Sequence, residues 1–244
     1  MDVLAITDHD TLAGYDQARS AARDAGVELV CGIELSTKLH GRSVHLLGYF
    51  PGADGLADFR RWLKEMQASR RDRNERLAAR LRELGFDIRL EEAEALGRGM
   101  TGRPHFAQVM LRKGYVTSIR QAFDEYLDES AKGYVHRQEP QFEEGVRRIR
   151  DAGGVSSLAH PARFPGDAAA LLPEMQAAGL QAIEAYHSDH TQVETEMYAD
   201  LAMRHGLKVT GGSDFHGAVT PDVRVGTGHG GNLHVPPEAL EGLR

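Results

Sequence analysis

The sequence predicts an α/β fold built around a largely parallel sheet. Short apolar segments alternate with amphipathic ones along most of the chain, and this alternation is typical of strands that are joined through helices. Most of the apolar segments lead into a histidine or an acidic residue. The chain has 244 residues, of which 41% are hydrophobic and 27% are charged, which is enough apolar material for one large domain or two small ones.

The first 50 residues predict three strands and one helix. The opening apolar run leads into the polar triplet Asp8-His9-Asp10, as expected for a buried strand with functional groups at its end. Gly26 marks the end of the helix, because glycine is favoured just past a helix C-terminus. The predicted elements are strand 2–7, helix 11–25, strand 27–33, which leads into Glu34, and strand 43–50.

The middle of the chain has a different pattern. Apolar residues at helical spacing predict a long helix over 58–83, and short segments broken by glycines continue from there to about residue 140. We therefore predict a helical insertion over 53–140, within an α/β domain formed by 1–52 and 141–244. Alternation resumes after the insertion, with helix 141–151, strand 155–159, helix 167–178, strand 180–186, helix 190–205 and strand 207–210.

Composition excludes several classes of protein. Cys31 is the single cysteine, so a disulfide-stabilised scaffold is excluded. No apolar run approaches the roughly 18 residues that a membrane-spanning helix needs. A net charge of −7 argues against a protein that coats duplex nucleic acid. With no export signal at its start, the chain is expected to be cytoplasmic and to act without a membrane partner.

Histidines and acids gather where the predicted strands end. A lone histidine at such a position is more often a structural residue than a ligand, but functional groups of parallel α/β folds collect at this edge of the sheet. Mixed imidazole and carboxylate donors suit Zn, Mn or Fe, and they fit a hydrolytic site with several ions. The set is His9, Glu34, His45, His160, His187, Asp214 and His216.

Several segments resemble the motifs of one known family, the PHP (polymerase and histidinol phosphatase) superfamily. They are Thr7-Asp8-His9-Asp10, Gly32-Ile33-Glu34-Leu35-Ser36, His45-Leu46-Leu47-Gly48-Tyr49, Ala159-His160-Pro161 and Gly212-Ser213-Asp214-Phe215-His216-Gly217. Two further segments are similar to the branch of nucleoside 3′,5′-bisphosphate phosphatases and a related 5′→3′ exoribonuclease. These are Gly102-Arg103-Pro104-His105 and Ile183-Glu184-Ala185-Tyr186-His187.

The resemblance implies a distorted, TIM-like (β/α)7 barrel with a helical insertion and up to three divalent metal ions. The family's opening His-x-His strand is absent from this chain, so the start could be misassigned, the chain could be a fragment, or the protein could be truncated. The ligands implied by resemblance are Glu34, His45 and His160 for one metal, Glu34 and Asp214 for a second, and His9 and His216 for the third.

The resemblance also implies a phosphoesterase that acts through a metal-bound hydroxide on a small nucleotide or on the 5′ end of short RNA. Arg103, His105 and Lys132 are the candidates for binding phosphate, and His187 is the candidate for binding phosphate or assisting the leaving group. Two alternatives stay open: a histidinol-phosphate-type phosphatase, and a truncated non-catalytic protein that binds a metal or a nucleotide. Neither the metal, the length of the substrate nor the oligomeric state follows from the sequence.

Overall fold

The computed structural model describes residues 1–52, 55–97, 100–164, 166–241 and 243. The chain forms two compact units. The first, which we call the α/β unit, comprises Met1–Arg61 and Glu139–Arg244, and the second, the helical unit, comprises Trp62–Gln138. The predicted insertion, 53–140, overlaps the helical unit. Two residues at the predicted boundaries, 53 and 244, lie outside the described parts of the chain.

The α/β unit is organised by one mixed sheet of six strands in the described part of the chain, and the sheet curls into a half-barrel. The strands lie side by side in chain order, and all neighbours are parallel except on the two sides of β3. The predicted α/β fold with a barrel-like sheet is therefore confirmed. The strands are β1 Val3–Ile6, β2 Glu28–Leu39, β3 Arg42–Phe50, β4 Val155–Leu158, β5 Ala182–His187 and β6 Lys208–Gly212.

The β2–β3 connection corrects the sequence prediction. The predicted strand 27–33 ended before Glu34, whereas β2 continues to Leu39 and pairs antiparallel with β3. His40 and Gly41 form the two-residue turn, both with positive φ (50° and 76°), which is the geometry of a tight hairpin. Glu34 therefore lies inside a strand, and a hairpin brings the start of β3 to the edge where the parallel strands end.

Helices of the α/β unit form where local signals favour them. Helix α6 (Phe142–Asp151) buries Phe142, Val146 and Ile149, and it packs on β2, β3 and β4. Helix α8 begins at a capping box in which Thr191 and Glu194 satisfy each other's main-chain N–H groups. The predicted helices of this unit are confirmed to within two residues at each end: α1 Ala13–Asp24, α6, α7 Ala168–Ala177 and α8 Gln192–Arg204.

The helical unit has a hydrophobic core of its own. Leu81, Phe106 and Met110 are completely buried within it. The predicted long helix is confirmed as α2 (Ala57–Glu83), whose first residues belong to the α/β unit. The remaining helices are α3 Leu90–Gly97, α4 Arg103–Arg112 and α5 Ile119–Ala122, which continues as one π turn over Phe123–Leu127.

The C-terminal part of the α/β unit is mostly irregular. It contains a two-stranded ribbon of β7 (Val223–Arg224) and β8 (Gly228–His229), followed by the short helix α9 (Glu238–Glu241). Among the described residues, none of the helices combines the length and the apolar character that crossing a bilayer requires.

Candidate metal centre

The main chain after β1 places His9 beside Glu34. His9 forms an isolated parallel bridge with Glu34, which extends the β1–β2 pairing beyond the end of β1. Asp10 fixes this extension, since its N–H donates to the carbonyl of Glu34 at 2.9 Å and its Oδ1 accepts the N–H of Ser36 at 2.9 Å. Asp10 is completely buried, and these hydrogen bonds attach it to the middle of β2.

Three imidazoles converge on the buried carboxylate of Glu34. The Nδ1 atom of His45 lies 2.7 Å from Glu34 Oε1, and the Nε2 atom of His160 lies 3.1 Å from the same oxygen. On the other side, His9 Nε2 lies 3.5 Å from Glu34 Oε2. Ligand atoms of His9, Glu34 and His45 lie within 4.8 Å of one another, which is compact enough for one ion to reach all three.

Charge at this cluster suits a cation. Burial alone would raise the pKa of Glu34, but the neighbouring charges of His9 and His45 and hydrogen bonds from His160 and His45 hold that pKa well below its usual range. Burial likewise works against protonation of His45, yet Glu34 raises the pKa of this imidazole. An ionised carboxylate surrounded by imidazole nitrogens is a donor set that Zn, Mn and Fe accept, so the residues present fit a divalent metal.

A second cluster follows β6 around Asp214. His187 Nε2 lies 3.7 Å from Asp214 Oδ2, and His216 Nδ1 lies 3.3 Å from Asp214 Oδ1. Arg163 also pairs with Asp214, and it contacts Asp189 with the rest of its guanidinium group. Burial would raise the pKa of Asp214, but the nearby imidazole of His187 and the charges of His216 and Arg163 lower it. This carboxylate is therefore ionised as well.

Ring contacts join the two clusters into one centre. The His9 ring centroid lies 4.9 Å from that of His45 and 5.8 Å from that of His216. His160 lies 5.1 Å from His45 and 5.8 Å from His187. The structure thus brings together His187 and the six residues predicted to bind metal. These six are His9, Glu34, His45, His160, Asp214 and His216.

Known relatives match most of the chain. It is 34% identical over 223 residues to the 3′,5′-nucleoside bisphosphate phosphatase of Chromobacterium violaceum, covering 88% of this chain and 76% of that protein. It is 35% identical to the phosphoribosyl 1,2-cyclic phosphate 1,2-diphosphodiesterase of Eggerthella lenta, over 88% and 82% of the two chains. It is 31% identical to the 5′-3′ exoribonuclease of Haemophilus influenzae, over 88% and 80%. The chain belongs to the PHP superfamily of phosphoesterases.

Solved structures agree with this assignment to the PHP superfamily. An amidohydrolase from C. violaceum, determined with bound sulfate and no metal, superposes with a TM-score of 0.83 at 31% identity, covering 97% of this chain and 82% of that one. A Bifidobacterium adolescentis protein, provisionally assigned as a metal-dependent phosphoesterase, gives 0.84 at 30% identity, covering 100% and 85%. No family model matches the chain. The predicted enzyme class, a metal-dependent phosphoric ester hydrolase, is confirmed.

His187 is the last residue of β5, and its side chain is fully buried. The N–H of Asp189 donates to His187 Nδ1 at 3.0 Å, so in the neutral ring the proton resides on Nε2, the atom that faces Asp214. His190 packs behind His187, with ring centroids 5.1 Å apart, and its Nδ1 lies 2.9 Å from the carbonyl oxygen of Ala185. This arrangement directs the Nε2–H group of His187, a hydrogen-bond donor, toward Asp214.

Three of the predicted phosphate-binding residues lie in the helical unit. Arg103 begins α4, where its Nη1 donates to the carbonyl of Leu127 at 3.1 Å and its guanidinium lies 5.8 Å from the ring centroid of Tyr134. His105 caps the same helix, because its Nδ1 accepts the N–H of Gly102 at 3.0 Å. Lys132 is exposed. Their part in substrate binding stays a prediction.

Sequence reasoning missed four residues of this region. Arg163 was not assigned a role, although it follows His160 by three positions in the Ala-His-Pro-Ala-Arg segment. Asp10 shares its triplet with His9, and its burial was the unrecognised signal. Glu184 is an acid within an otherwise apolar strand, a pattern that marks a buried carboxyl group with a specific partner. Asp189, which joins Arg163 to His229, was likewise not predicted.

Proposed function

We propose that this protein hydrolyses a phosphate monoester of a small nucleotide, of the nucleoside 3′,5′-bisphosphate kind, with the help of divalent metal ions. The observation that carries the proposal is the convergence of three imidazoles on the ionised carboxylate of Glu34. The relatedness to the C. violaceum phosphatase supports the substrate class. The 5′ end of a short RNA is the second candidate, which the relatedness to the H. influenzae exoribonuclease supports.

The proposed ligands are those at the centre of the α/β unit. Glu34, His45 and His160 would hold one ion, Glu34 and Asp214 would contribute to a second, and His9 and His216 to a third. Mn, Zn and Fe all suit these donors. A divalent metal bound there supplies a Lewis acid for the phosphoryl oxygens and lowers the pKa of water. The cytoplasm remains the expected compartment.

The chain's own residues have distinct roles in this proposal. Glu34 and Asp214 stay ionised near neutral pH and provide the negative charge that attracts cations. His187 holds its proton at Nε2, from which it would donate a hydrogen bond to the leaving oxygen and so assist the leaving group. Arg103, His105 and Lys132 would orient the phosphate group, since charged donors bind phosphate oxygens strongly.

The test is phosphate release by the full chain purified with Mn²⁺. We expect turnover of adenosine 3′,5′-bisphosphate that EDTA abolishes and Mn²⁺ restores. The variant His160→Ala should lower kcat/KM by more than about 100-fold, because it removes a metal-binding imidazole. The matched control is His234→Ala, which removes an exposed histidine and should leave the rate unchanged. Phosphate release that persists in EDTA, or in His160→Ala, would contradict the proposal.

A substrate panel separates the alternatives. We expect kcat/KM to be highest for the nucleoside bisphosphate, lower for a 5′-phosphorylated oligoribonucleotide and lowest for histidinol phosphate. A preference for the oligonucleotide would favour the second candidate. Tight Mn²⁺ binding without turnover of any of them would favour the non-catalytic alternative.

A further inference from the structure

A buried acid beneath the metal centre has no part in the chemistry proposed above. Glu184 lies in β5, is 5% exposed, and belongs to none of the metal-ligand sets. Its Oε2 atom accepts the main-chain N–H of His160 at 2.7 Å. Burial raises the pKa of Glu184 to about 8, and burying a carboxyl group is unfavourable unless hydrogen bonds compensate. The hydrogen bond to His160 is such a compensation.

His160, which donates this hydrogen bond, has an unfavourable backbone conformation. His160 has φ 26° and ψ 63°, a left-handed conformation that is unfavourable for a non-glycine residue. The next residue is Pro161, which favours an extended conformation in the residue before it. An extended His160 would send its side chain elsewhere, so the observed backbone is what brings Nε2 to 3.1 Å from Glu34.

The fold leaves space for the Glu184 carboxyl group. A Cβ atom on Gly212 would lie 2.8 Å from Glu184 Oε1, closer than such contacts permit, so only glycine fits there without displacing the carboxyl group. Gly212 is the last residue of β6, directly opposite the end of β5. Two adjacent strands therefore combine to hold one acceptor under the main chain of His160.

We propose that Glu184 is a positioning residue, which holds the main chain of His160 in its left-handed conformation and thereby directs the imidazole toward Glu34. The proposal rests on the metal centre of the proposed function, but the hydrogen bond itself can be tested without metal. It requires a hydrogen-bond acceptor at position 184.

Two near-isosteric variants of the full chain separate the effects of the hydrogen-bond acceptor, the charge and the side-chain volume at position 184. Glu184→Gln keeps an acceptor oxygen without the charge, and Glu184→Met keeps the volume without an acceptor. In the metal-free protein we expect amide hydrogen exchange of His160 to stay within about threefold of wild type in Glu184→Gln and to accelerate about 100-fold in Glu184→Met. The Mn²⁺ dissociation constant, followed by electron paramagnetic resonance, should rise about 10- to 100-fold in Glu184→Met and stay within about threefold in Glu184→Gln.

Each other outcome has a definite meaning. Wild-type exchange and Mn²⁺ affinity in Glu184→Met would overturn the proposal, because volume alone would then suffice. Equal losses in both variants would also overturn it, because the charge rather than the acceptor would be required. If Glu184→Met does not fold, Gly212→Ala displaces the carboxyl group instead, and an unchanged His160 exchange rate there would overturn the proposal. Absence of Mn²⁺ binding by wild type would refute the proposed function, while the exchange measurement would still decide the role of Glu184.

Discussion

Backbone conformations that non-glycine residues rarely adopt are concentrated at the candidate metal centre. Four non-glycine residues in the described part of the chain have positive φ. Asp10, His160 and Asp214 belong to this region, and the fourth, His40, forms the β2–β3 turn. Each of the first three follows the end of a strand, where the chain must turn sharply while its side chain stays in the site. Such conformations persist only when surrounding hydrogen bonds hold them.

Cys31 permits a test at the level of a single thiol. It lies in β2 with 1% exposure, and burial raises its pKa to about 11. The thiolate is the reactive form, and a raised pKa means that little of it is present at pH 8. We expect native protein to react with a disulfide reagent at pH 8 at least about 100-fold more slowly than protein unfolded in guanidinium.

The unfolded chain is the internal control for this measurement, since its thiol has an ordinary pKa of about 8.5. The native rate should continue to increase with pH toward 11 instead of levelling off above pH 9. A native rate equal to the unfolded rate would show that the thiol is accessible and that β2 is less protected than the structure indicates.

Single elements of this fold carry their own start and stop signals, and α8 is the clearest case. Thr191 Oγ1 accepts the N–H of Glu194 at 3.2 Å, and Glu194 Oε2 accepts the N–H of Thr191 at 2.8 Å. We expect Thr191→Ala to lower the free energy of unfolding by about 1 kcal/mol, as loss of a helix cap does. Urea unfolding with circular dichroism measures this change.

The matched control is Thr195→Ala, one turn further along the same helix. Alanine is a better helix former than threonine, so this substitution should be neutral or slightly stabilising. Equal destabilisation by the two variants would mean that the loss comes from packing of the threonine side chain and not from the cap.

Pairing between elements was harder to predict than the elements themselves. Helix positions follow from periodicity and capping residues, and the five helices whose bounds were predicted agree with the structure to within two residues. The direction of β3 was not predicted, because apolar runs 27–33 and 43–50 look alike whether their strands run parallel or antiparallel. The decisive local signal was His40-Gly41, a two-residue turn that a sequence search for hairpins could have found.

At the scale of the whole molecule, two units with separate hydrophobic cores are expected to respond differently to mutation. Leu81 is completely buried in the core of the helical unit. We expect Leu81→Ala to lower the free energy of unfolding by about 2–5 kcal/mol. Fluorescence of Trp62, the single tryptophan and a buried residue of the helical unit, reports this loss during urea unfolding.

The same variant should leave Mn²⁺ affinity within about threefold of wild type, because the proposed ligands all belong to the α/β unit. Leu111→Ala makes the same chemical change at a partly exposed position and should cost less than about 0.5 kcal/mol. A large loss of Mn²⁺ affinity in Leu81→Ala would show that the two units do not behave independently.

The fold class, most helices and strands, and the six candidate metal ligands could all be predicted from the amino-acid sequence. These follow from local periodicity and from residue types placed at strand ends, which short segments carry on their own. The partners that those residues contact could not be predicted in this way and became visible in the folded chain. The hairpin brings His45 to Glu34. The carboxylates of Asp10 and Glu184 accept main-chain N–H groups of Ser36 and His160, respectively. Such contacts join segments up to 126 residues apart, and packing rather than local pattern selects them.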